Sequence, residues 1–218
     1  MCKHLAEKVR VLVTYIESMS DFVLIDPPQC PYKDHIGALF TDVILQAGIN
    51  YKHVVSPRIN KLLAEYPSAY SVSRFSAILQ KRSIESILDW HDDEKQLRMV
   101  RIIEFCKIHN IQFSYQLKDF LLDSKENSKQ FMQIKGIGKK TYDYLLKLLG
   151  NERVAVDRHI YKFVSDAGIS YDDYSQVKLI VEYAADIMHV SRRSLDYSIW
   201  YYMSKTRYEK HQTIKFEW

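Results

Sequence analysis

The chain has 218 residues, of which 47% are hydrophobic and 27% charged, and its net charge is +4. These values are ordinary for a globular protein and argue against wholesale disorder. No apolar run approaches the roughly 20 residues that cross a bilayer, and the first residues lack the apolar core of a signal peptide. We therefore expect an intracellular protein without a membrane partner, in the cytoplasm or nucleoid if its source is a prokaryote.

The cysteines and histidines do not predict a metal centre. The three cysteines (Cys2, Cys30, Cys106) are too few for a disulfide framework and lack a C-x-x-C spacing. The eight histidines include no H-x-x-x-H pair, so the sequence predicts no zinc.

Apolar residues recur at helical spacing along almost the whole chain, and this predicts an all-α protein. All five prolines lie within the first 67 residues, which permits long helices afterwards. The segment from Asp26 to Pro31 is expected to separate the first helix from the rest. The apolar patterns begin near Val9, Ile36, Leu97, Ile180 and Leu195, and Asp92 or Asp93 is placed to cap the third of these helices.

Positive charge is concentrated in one stretch. Residues 127–162 contain eight basic and three acidic residues, a local net charge of +5, so the remainder of the chain is close to neutral. A local basic surface is what a polyanion would need, although a solvated helical face would show the same composition.

The same stretch contains a predicted helix-hairpin-helix. In Ile134-Lys135-Gly136-Ile137-Gly138-Lys139-Lys140-Thr141, the two glycines permit a sharp reversal of the backbone. A leucine-rich helix follows from Gly138 or Lys139, and Gly150-Asn151 is a typical helix end. Free N–H groups at the start of that helix would suit a phosphate group and would require no particular base beside it.

The hairpin, the amphipathic helix after it and the block Val154-Ala155-Val156-Asp157-Arg158-His159-Ile160 together resemble the helix-hairpin-helix DNA glycosylases. The resemblance implies an all-α fold of two lobes. One is a helical barrel of residues 33–150 that ends in the hairpin, and the other combines residues 1–32 with 151–218. The cleft between the lobes would receive the damaged base.

The resemblance assigns catalytic roles to Lys140 and Asp157. Lys140 stands at the position of the family's nucleophilic lysine, whose amine attacks C1′ and forms a Schiff base. Asp157 matches the family's carboxylate, which stabilises positive charge developing on the sugar. As alternatives, Lys140 could be a phosphate contact, and Asp157 could cap the helix that follows it. The two residues are expected to approach each other from opposite lobes.

Further roles carry over from the same family. Backbone donors at Gly136, Gly138 and Lys139 would bind the DNA backbone. The main-chain carbonyls of Met132, Ile134 and Ile137 would hold a monovalent cation. Gln46 stands where relatives place the side chain that fills the gap left by the extruded base, although it could equally be a partly exposed helix-end glutamine, and Asn50 or Tyr51 could serve instead. Tyr144 would face the base or simply pack in the core.

The sequence departs from many relatives in one respect. It has no cysteine after Cys106 and therefore lacks the four-cysteine iron–sulfur loop near the C terminus. Because it has Lys140 but lacks this loop, the chain most resembles the 8-oxoguanine glycosylase/lyase branch. The expected function is excision of a damaged base, 8-oxoguanine above all, from duplex DNA by a monomer with AP lyase activity. A glycosylase for oxidised pyrimidine, mismatched thymine or alkylated base, and a non-catalytic DNA-binding module, are the alternatives.

Overall fold

The computed structural model describes residues 3–46 and 49–213, with side chains described from residue 4 to residue 205 of these ranges. Every regular element in this part of the chain is helical, which confirms the predicted all-α class. The helices are α1 (Lys3–Ser18), α2 (Ile36–Leu45), a π-helical turn (Tyr51–Val55), α3 (Ser56–Glu65), α4 (Val72–Lys81), α5 (Ile84–Leu88), α6 (Asp93–Ile108), α7 (Ser114–Asp123), α8 (Lys125–Met132), α9 (Lys139–Leu148), α10 (Arg158–Asp166), α11 (Tyr174–Ile187) and α12 (Arg192–Thr213). No helix of the described residues is both long and apolar enough to cross a bilayer.

The helices form two compact units, residues 29–150 and residues 1–28 together with 151–218. Each unit has its own apolar core, because the buried side chains fall into two separate clusters. The apolar C-terminal residues after Thr213, including Trp218, and Cys2 lie outside the described residues.

Helix α2 is the centre of residues 29–150. All ten of its residues are buried, and it packs against α3, α4, α6 and α9. His35 caps the helix by accepting a hydrogen bond from the Ala38 N–H through Nδ1. Gly37 allows close packing, since a Cβ there would lie 3.2 Å from side-chain atoms of Ala69 and Phe75. A helix buried on all sides holds its few polar side chains in fixed positions.

The predicted cap of α6 is confirmed. Asp92 accepts a hydrogen bond from the Lys95 N–H at 3.1 Å, and the helix runs from Asp93 to Ile108. Its apolar pattern is only partly a core pattern, because Ile108 is 75% exposed while Ile102 is fully buried.

The other unit packs α1 against α11, and α10 and α11 against α12. Phe163 of α10 lies at its centre, with the rings of Tyr15 and Phe22 at 5.4 and 5.5 Å. The chain enters α10 through an irregular, buried segment, Val154–Val156, and this segment leads directly to Asp157.

Candidate active site

The predicted helix-hairpin-helix is present as α8, the hairpin and α9. The Ile137 N–H donates to the Ile134 carbonyl at 2.8 Å and closes the turn, while the Ile137 side chain is buried. Gly136 has φ of +88°, a conformation that other residues rarely adopt, so this glycine is required by the turn. The second helix begins at Lys139, as the sequence predicts.

The first turn of α9 faces solvent. Gly138 is its N-cap and contributes no side-chain cap, and Gly138 and Lys139 are both exposed. A Cβ on Gly138 would meet nothing within 4 Å, so the backbone is open to a ligand. Backbone N–H groups and the positive end of the helix dipole suit a phosphate here, as expected from the sequence.

Lys140 forms the first of two polar contacts between α9 and the α2 segment. Its ammonium nitrogen Nζ donates to Oε1 of Gln46 at 2.9 Å, although 94 residues separate the two in sequence. Gln46 directly follows α2, and its Nε2 is buried without a hydrogen-bond partner among the described residues. The structure thus joins the predicted nucleophile to the residue predicted to fill the gap in the DNA.

The second contact lies one helical turn from the first, later in the sequence on α9 and earlier on α2. Tyr144, four residues after Lys140, donates through its hydroxyl to the carboxylate of Asp42 at 3.1 and 3.2 Å. Asp42 precedes Gln46 by four residues, so each pair shares one helix face. Asp42 also accepts from the Tyr32 hydroxyl at 2.7 Å, and the Tyr32 hydroxyl is 2.8 Å from that of Tyr51. We call Tyr32, Asp42, Tyr51 and Tyr144 the Tyr–Asp cluster.

Burial controls the protonation of this cluster. Asp42 is fully buried, and its burial raises the pKa of the carboxyl from 3.8 to about 6, against the opposing effects of hydrogen bonds from Tyr32 and Tyr144 and of the Lys147 charge. Burial, with the neighbouring carboxylate, also raises the pKa of Tyr51 to about 12 and that of Tyr144 well above 10. At neutral pH the phenols therefore keep their protons and Asp42 is mostly ionised.

Asp157 belongs to the other unit, where it is the N-cap of α10. Its Oδ1 accepts from the N–H groups of His159 at 2.8 Å and Ile160 at 3.1 Å, which confirms the predicted cap. Both of these bonds use the same oxygen, so Oδ2 lies outside the cap. A cap of this kind fixes the carboxylate rotamer. The approach of Asp157 to Lys140 stays a prediction.

Side-chain acceptors anchor the buried segment before Asp157. The Val154 N–H donates to Glu182 at 3.3 Å, and the Ala155 N–H donates to Asp196 at 2.7 Å. The Val156 N–H donates to the Tyr174 hydroxyl at 3.3 Å. These side chains satisfy backbone N–H groups that are buried and have no partner in a helix or sheet. By fixing the backbone of this segment, they fix the position of Asp157, the next residue in the chain.

The carbonyls predicted to bind a cation belong to the end of α8 and to the turn that follows it. The Ile134 carbonyl accepts the Ile137 N–H within the turn, and a carbonyl oxygen has a second lone pair that could bind a cation. A monovalent cation at Met132, Ile134 and Ile137 is therefore still a prediction.

The sequence did not reveal the roles of Asp42 and Tyr32. Asp42 is a charged residue within the apolar run of α2, and this contrast is the one signal that could have found it. Tyr32 stands among prolines and looks like one of sixteen scattered tyrosines. Tyr144 packs on the core, which confirms that expected role, and its hydroxyl belongs to the cluster, while its facing the base stays a prediction.

Comparison with known proteins places this geometry in a known fold. The crystal structure of the H. pylori 3-methyladenine DNA glycosylase MagIII bound to 1,N6-ethenoadenine superposes with a TM-score of 0.54 and 18% identity, covering 95% of this chain and 98% of that chain. Residues 98–204 match a family model described as a domain of unknown function (DUF8548). No curated protein sequence matches the chain. The chain has the all-α helix-hairpin-helix DNA glycosylase fold.

Proposed function

We propose that the protein is a base-excision-repair DNA glycosylase with AP lyase activity, and that 8-oxoguanine in duplex DNA is its substrate. The observation that carries the proposal is the placement of Lys140. It is the second residue of a helix whose exposed first turn suits a phosphate, and its amine contacts Gln46 next to the Tyr–Asp cluster. The glycosylase fold supports the proposed activity.

Lys140 would act as a nucleophile once its amine is neutral. The amine attacks C1′, the glycosidic C–N bond breaks, and the bond pair leaves with the base, which takes up a proton. The attack leaves C1′ bonded to both the lysine nitrogen and the ring oxygen O4′. The C1′–O4′ bond then breaks, O4′ takes up the proton that the amine gives up, and the C1′=N bond of the Schiff base forms. Removal of a 2′ proton then allows the C3′–O bond to break, and the 3′ phosphate departs.

Asp157 would stabilise the sugar during this reaction. Departure of the base places positive charge on C1′ and the ring oxygen, and a carboxylate in a fixed rotamer lowers the energy of that state. Its uncapped Oδ2 is the oxygen proposed for this role. Gln46 would leave Lys140 and enter the gap in the duplex when the base is extruded.

Excision of an alkylated base without strand scission is a second candidate. The solved structure that supports it is named as a 3-methyladenine DNA glycosylase and contains 1,N6-ethenoadenine. Under this alternative Lys140 contributes charge and no covalent chemistry.

Borohydride trapping on a panel of duplexes tests the proposal. The panel carries 8-oxoguanine, 1,N6-ethenoadenine, thymine glycol, a G·T mismatch or an abasic site. We expect covalent complexes on 8-oxoguanine and on the abasic site. Release of ethenoadenine without trapping would favour the second candidate, and DNA binding that is salt-sensitive and indifferent to lesions would reduce the protein to a binding module.

A further inference from the structure

The peptide group between Lys135 and Gly136 lies at the centre of the hairpin turn. The Ile137 N–H donates to the Ile134 carbonyl at 2.8 Å across this turn, and Gly136 has φ of +88°. A turn in which only the third of four residues has a positive φ is of type II. Because the central peptide is trans, the Lys135 carbonyl oxygen points to one side of the turn and the Gly136 N–H to the other.

Neither the glycine nor the hydrogen bond across the turn fixes this orientation. Glycine adopts positive and negative φ about equally readily. A type I turn has the same hydrogen bond between its first and fourth residues and differs from type II by a reversal of the central peptide. After such a reversal, the Lys135 carbonyl oxygen would face a phosphate that the Gly136 N–H should bind. A contact that holds this carbonyl would therefore decide between the two orientations.

Arg98 of α6 makes such a contact. Its Nε donates to the Lys135 carbonyl oxygen at 3.3 Å, and its guanidinium group covers Gly136, where a Cβ would collide with it. The position of Arg98 is well defined, because the next residue, Met99, is 1% exposed and packs in the core. Glu94, one turn earlier on α6, forms an exposed ion pair with the Lys135 side chain at 2.9 Å, which by itself contributes little.

We propose that Arg98 is a positioning residue, which holds the Lys135–Gly136 peptide so that its N–H is directed at a DNA phosphate. The hydrogen bond acts on the carbonyl end of the peptide. It also polarises the N–H at the other end and makes it a stronger donor. The group that binds the phosphate is thus the Gly136 N–H, and the charge of Arg98 is secondary. The inference rests on the proposed glycosylase function, which supplies the DNA.

Two substitutions of Arg98 separate the hydrogen bond from the charge. Arg98→Gln removes the charge but keeps an N–H donor, because the glutamine Nε2 is as many bonds from Cα as the arginine Nε. Arg98→Met also removes the charge and has a methyl group at that position. Lys107→Met is the control for the lost charge. Lys107 is exposed in the last turn of α6 and, nine residues after Arg98, lies on the opposite face of the helix.

The orientation of the peptide can be observed by NMR spectroscopy. Residues 135 and 136 form the only Lys-Gly step in the sequence, so lysine labelled with ¹³C at the carbonyl and glycine labelled with ¹⁵N give one correlated amide signal. In the free protein, Arg98→Met should shift this signal, because the carbonyl loses its hydrogen bond, whereas Arg98→Gln should leave it near its wild-type position. A duplex that carries a tetrahydrofuran analogue of an abasic site is then added. This analogue forms no Schiff base, and it should move the Gly136 amide proton downfield in the wild type and in Arg98→Gln.

Affinity for the same duplex should follow the orientation of the peptide. We expect Arg98→Met to bind about tenfold more weakly than Arg98→Gln, because the phosphate loses a donor. Lys107→Met should bind within about twofold of the wild type, since solvent and salt screen an exposed charge. Melting temperatures establish that each variant is folded. If Arg98→Met and Arg98→Gln agree in either the amide signal or the affinity, the inference is overturned.

The outcomes separate this inference from the proposed function. If the wild type does not bind the duplex, the proposed function fails and the inference fails with it. If the wild type binds and the two Arg98 variants are equal, the proposed function stands and Arg98 contributes only its charge.

Discussion

The Lys140 ammonium nitrogen lies 2.9 Å from Oε1 of Gln46, so two residues with distinct predicted roles are in direct contact. The Gln46 carbonyl oxygen orients the Lys140 amine by accepting its hydrogen bond. This hydrogen bond must break before the amine attacks C1′. Gln46 would therefore both position the nucleophile and, on leaving it, fill the duplex. A change of the side chain at residue 46 should therefore alter the reactivity of the Lys140 amine.

Replacing Gln46 by glutamate should shift the pH dependence of Schiff-base formation. A carboxylate at this distance favours the ammonium form of the amine, so trapping should require a higher pH, with a midpoint about one unit above that of the wild type. The measurement is the single-turnover trapping rate on abasic DNA between about pH 5.5 and 9, a range that brackets the pKa expected of an activated lysine. Gln46→Met keeps the length of the side chain without charge and is the control. Coincident profiles for the Gln46→Glu and Gln46→Met proteins would show that residue 46 does not influence the amine.

Removing the ionisable group at residue 42 should change how stability depends on pH. Burial raises the pKa of Asp42 from 3.8 to about 6, so between these values the folded protein binds a proton that the unfolded chain has lost. The contribution of Asp42 to folding is therefore most favourable below about pH 4, and this group lowers the free energy of unfolding by on the order of 3 kcal/mol as the pH rises through about 6. Asp42→Asn should remove this loss.

Chemical denaturation at about pH 4.5, 6 and 7.5, values that span the titration of the buried carboxyl, measures the effect. Asp123→Asn, at the exposed end of α7, is the control and should follow the wild type. If Asp42→Asn also follows the wild type, the carboxyl does not titrate as its burial implies.

The two hairpin glycines should respond differently to alanine. Gly136 has a positive φ, and a Cβ there would also collide with the Arg98 guanidinium, so Gly136→Ala should destabilise the protein by roughly 1–2 kcal/mol. Gly138 has an extended backbone and open space around it. Gly138→Ala should keep the wild-type melting temperature yet lose about tenfold in affinity for DNA, because the methyl group would crowd a phosphate on the backbone N–H groups. If a folded Gly138→Ala protein binds DNA with wild-type affinity, the phosphate does not bind at the first turn of α9.

Loss of the Asp196 carboxylate should affect Asp157 through the segment that joins them. Asp196 is 3% exposed and accepts the Ala155 N–H at 2.7 Å. Asp196→Ala leaves that donor unsatisfied and should cost about 2 kcal/mol of stability. We also expect kcat to fall at least about tenfold while KM changes little, since a displaced carboxylate weakens stabilisation of the transition state.

Asp196→Asn separates positioning from simple loss of stability. Its amide oxygen can accept the same N–H, so it should restore most of kcat. Assays are run well below the melting temperature of each variant. An Asp196→Ala protein with wild-type kcat would show that the segment before Asp157 does not depend on this contact.

Local signals in the sequence were sufficient for the all-α class and the hairpin. Gly136 and Gly138 predicted the turn because positive φ and a bare N-cap are local requirements, and Asp92 and Asp157 predicted their caps for the same reason. The partners of these elements could not be predicted. Gln46 and Lys140 are 94 residues apart, and nothing in either local pattern specifies the packing of α9 on α2 that joins them.

The Tyr–Asp cluster illustrates the same limit more strongly. Its members come from the segment before α2, from α2 itself, from the π-helical turn and from α9. An isolated tyrosine is usually a packing residue, so its role depends on which carboxylate the fold brings to its hydroxyl. Only the buried charge of Asp42, within a run of apolar residues, departs from local expectation.

Identifying the lysine that carries the trapped sugar tests the central claim most directly. The wild-type protein is reduced with borohydride on abasic DNA, digested with nuclease and protease, and analysed by peptide mass spectrometry. Lys140→Gln and the exposed, charge-matched Lys129→Gln are treated in parallel. We predict that the deoxyribose remnant lies on Lys140, that Lys140→Gln binds DNA without forming an adduct, and that Lys129→Gln is labelled like the wild type. A remnant on Lys139 or on the N-terminal amine, or persistent trapping by Lys140→Gln, would contradict the assignment of Lys140 as the nucleophile.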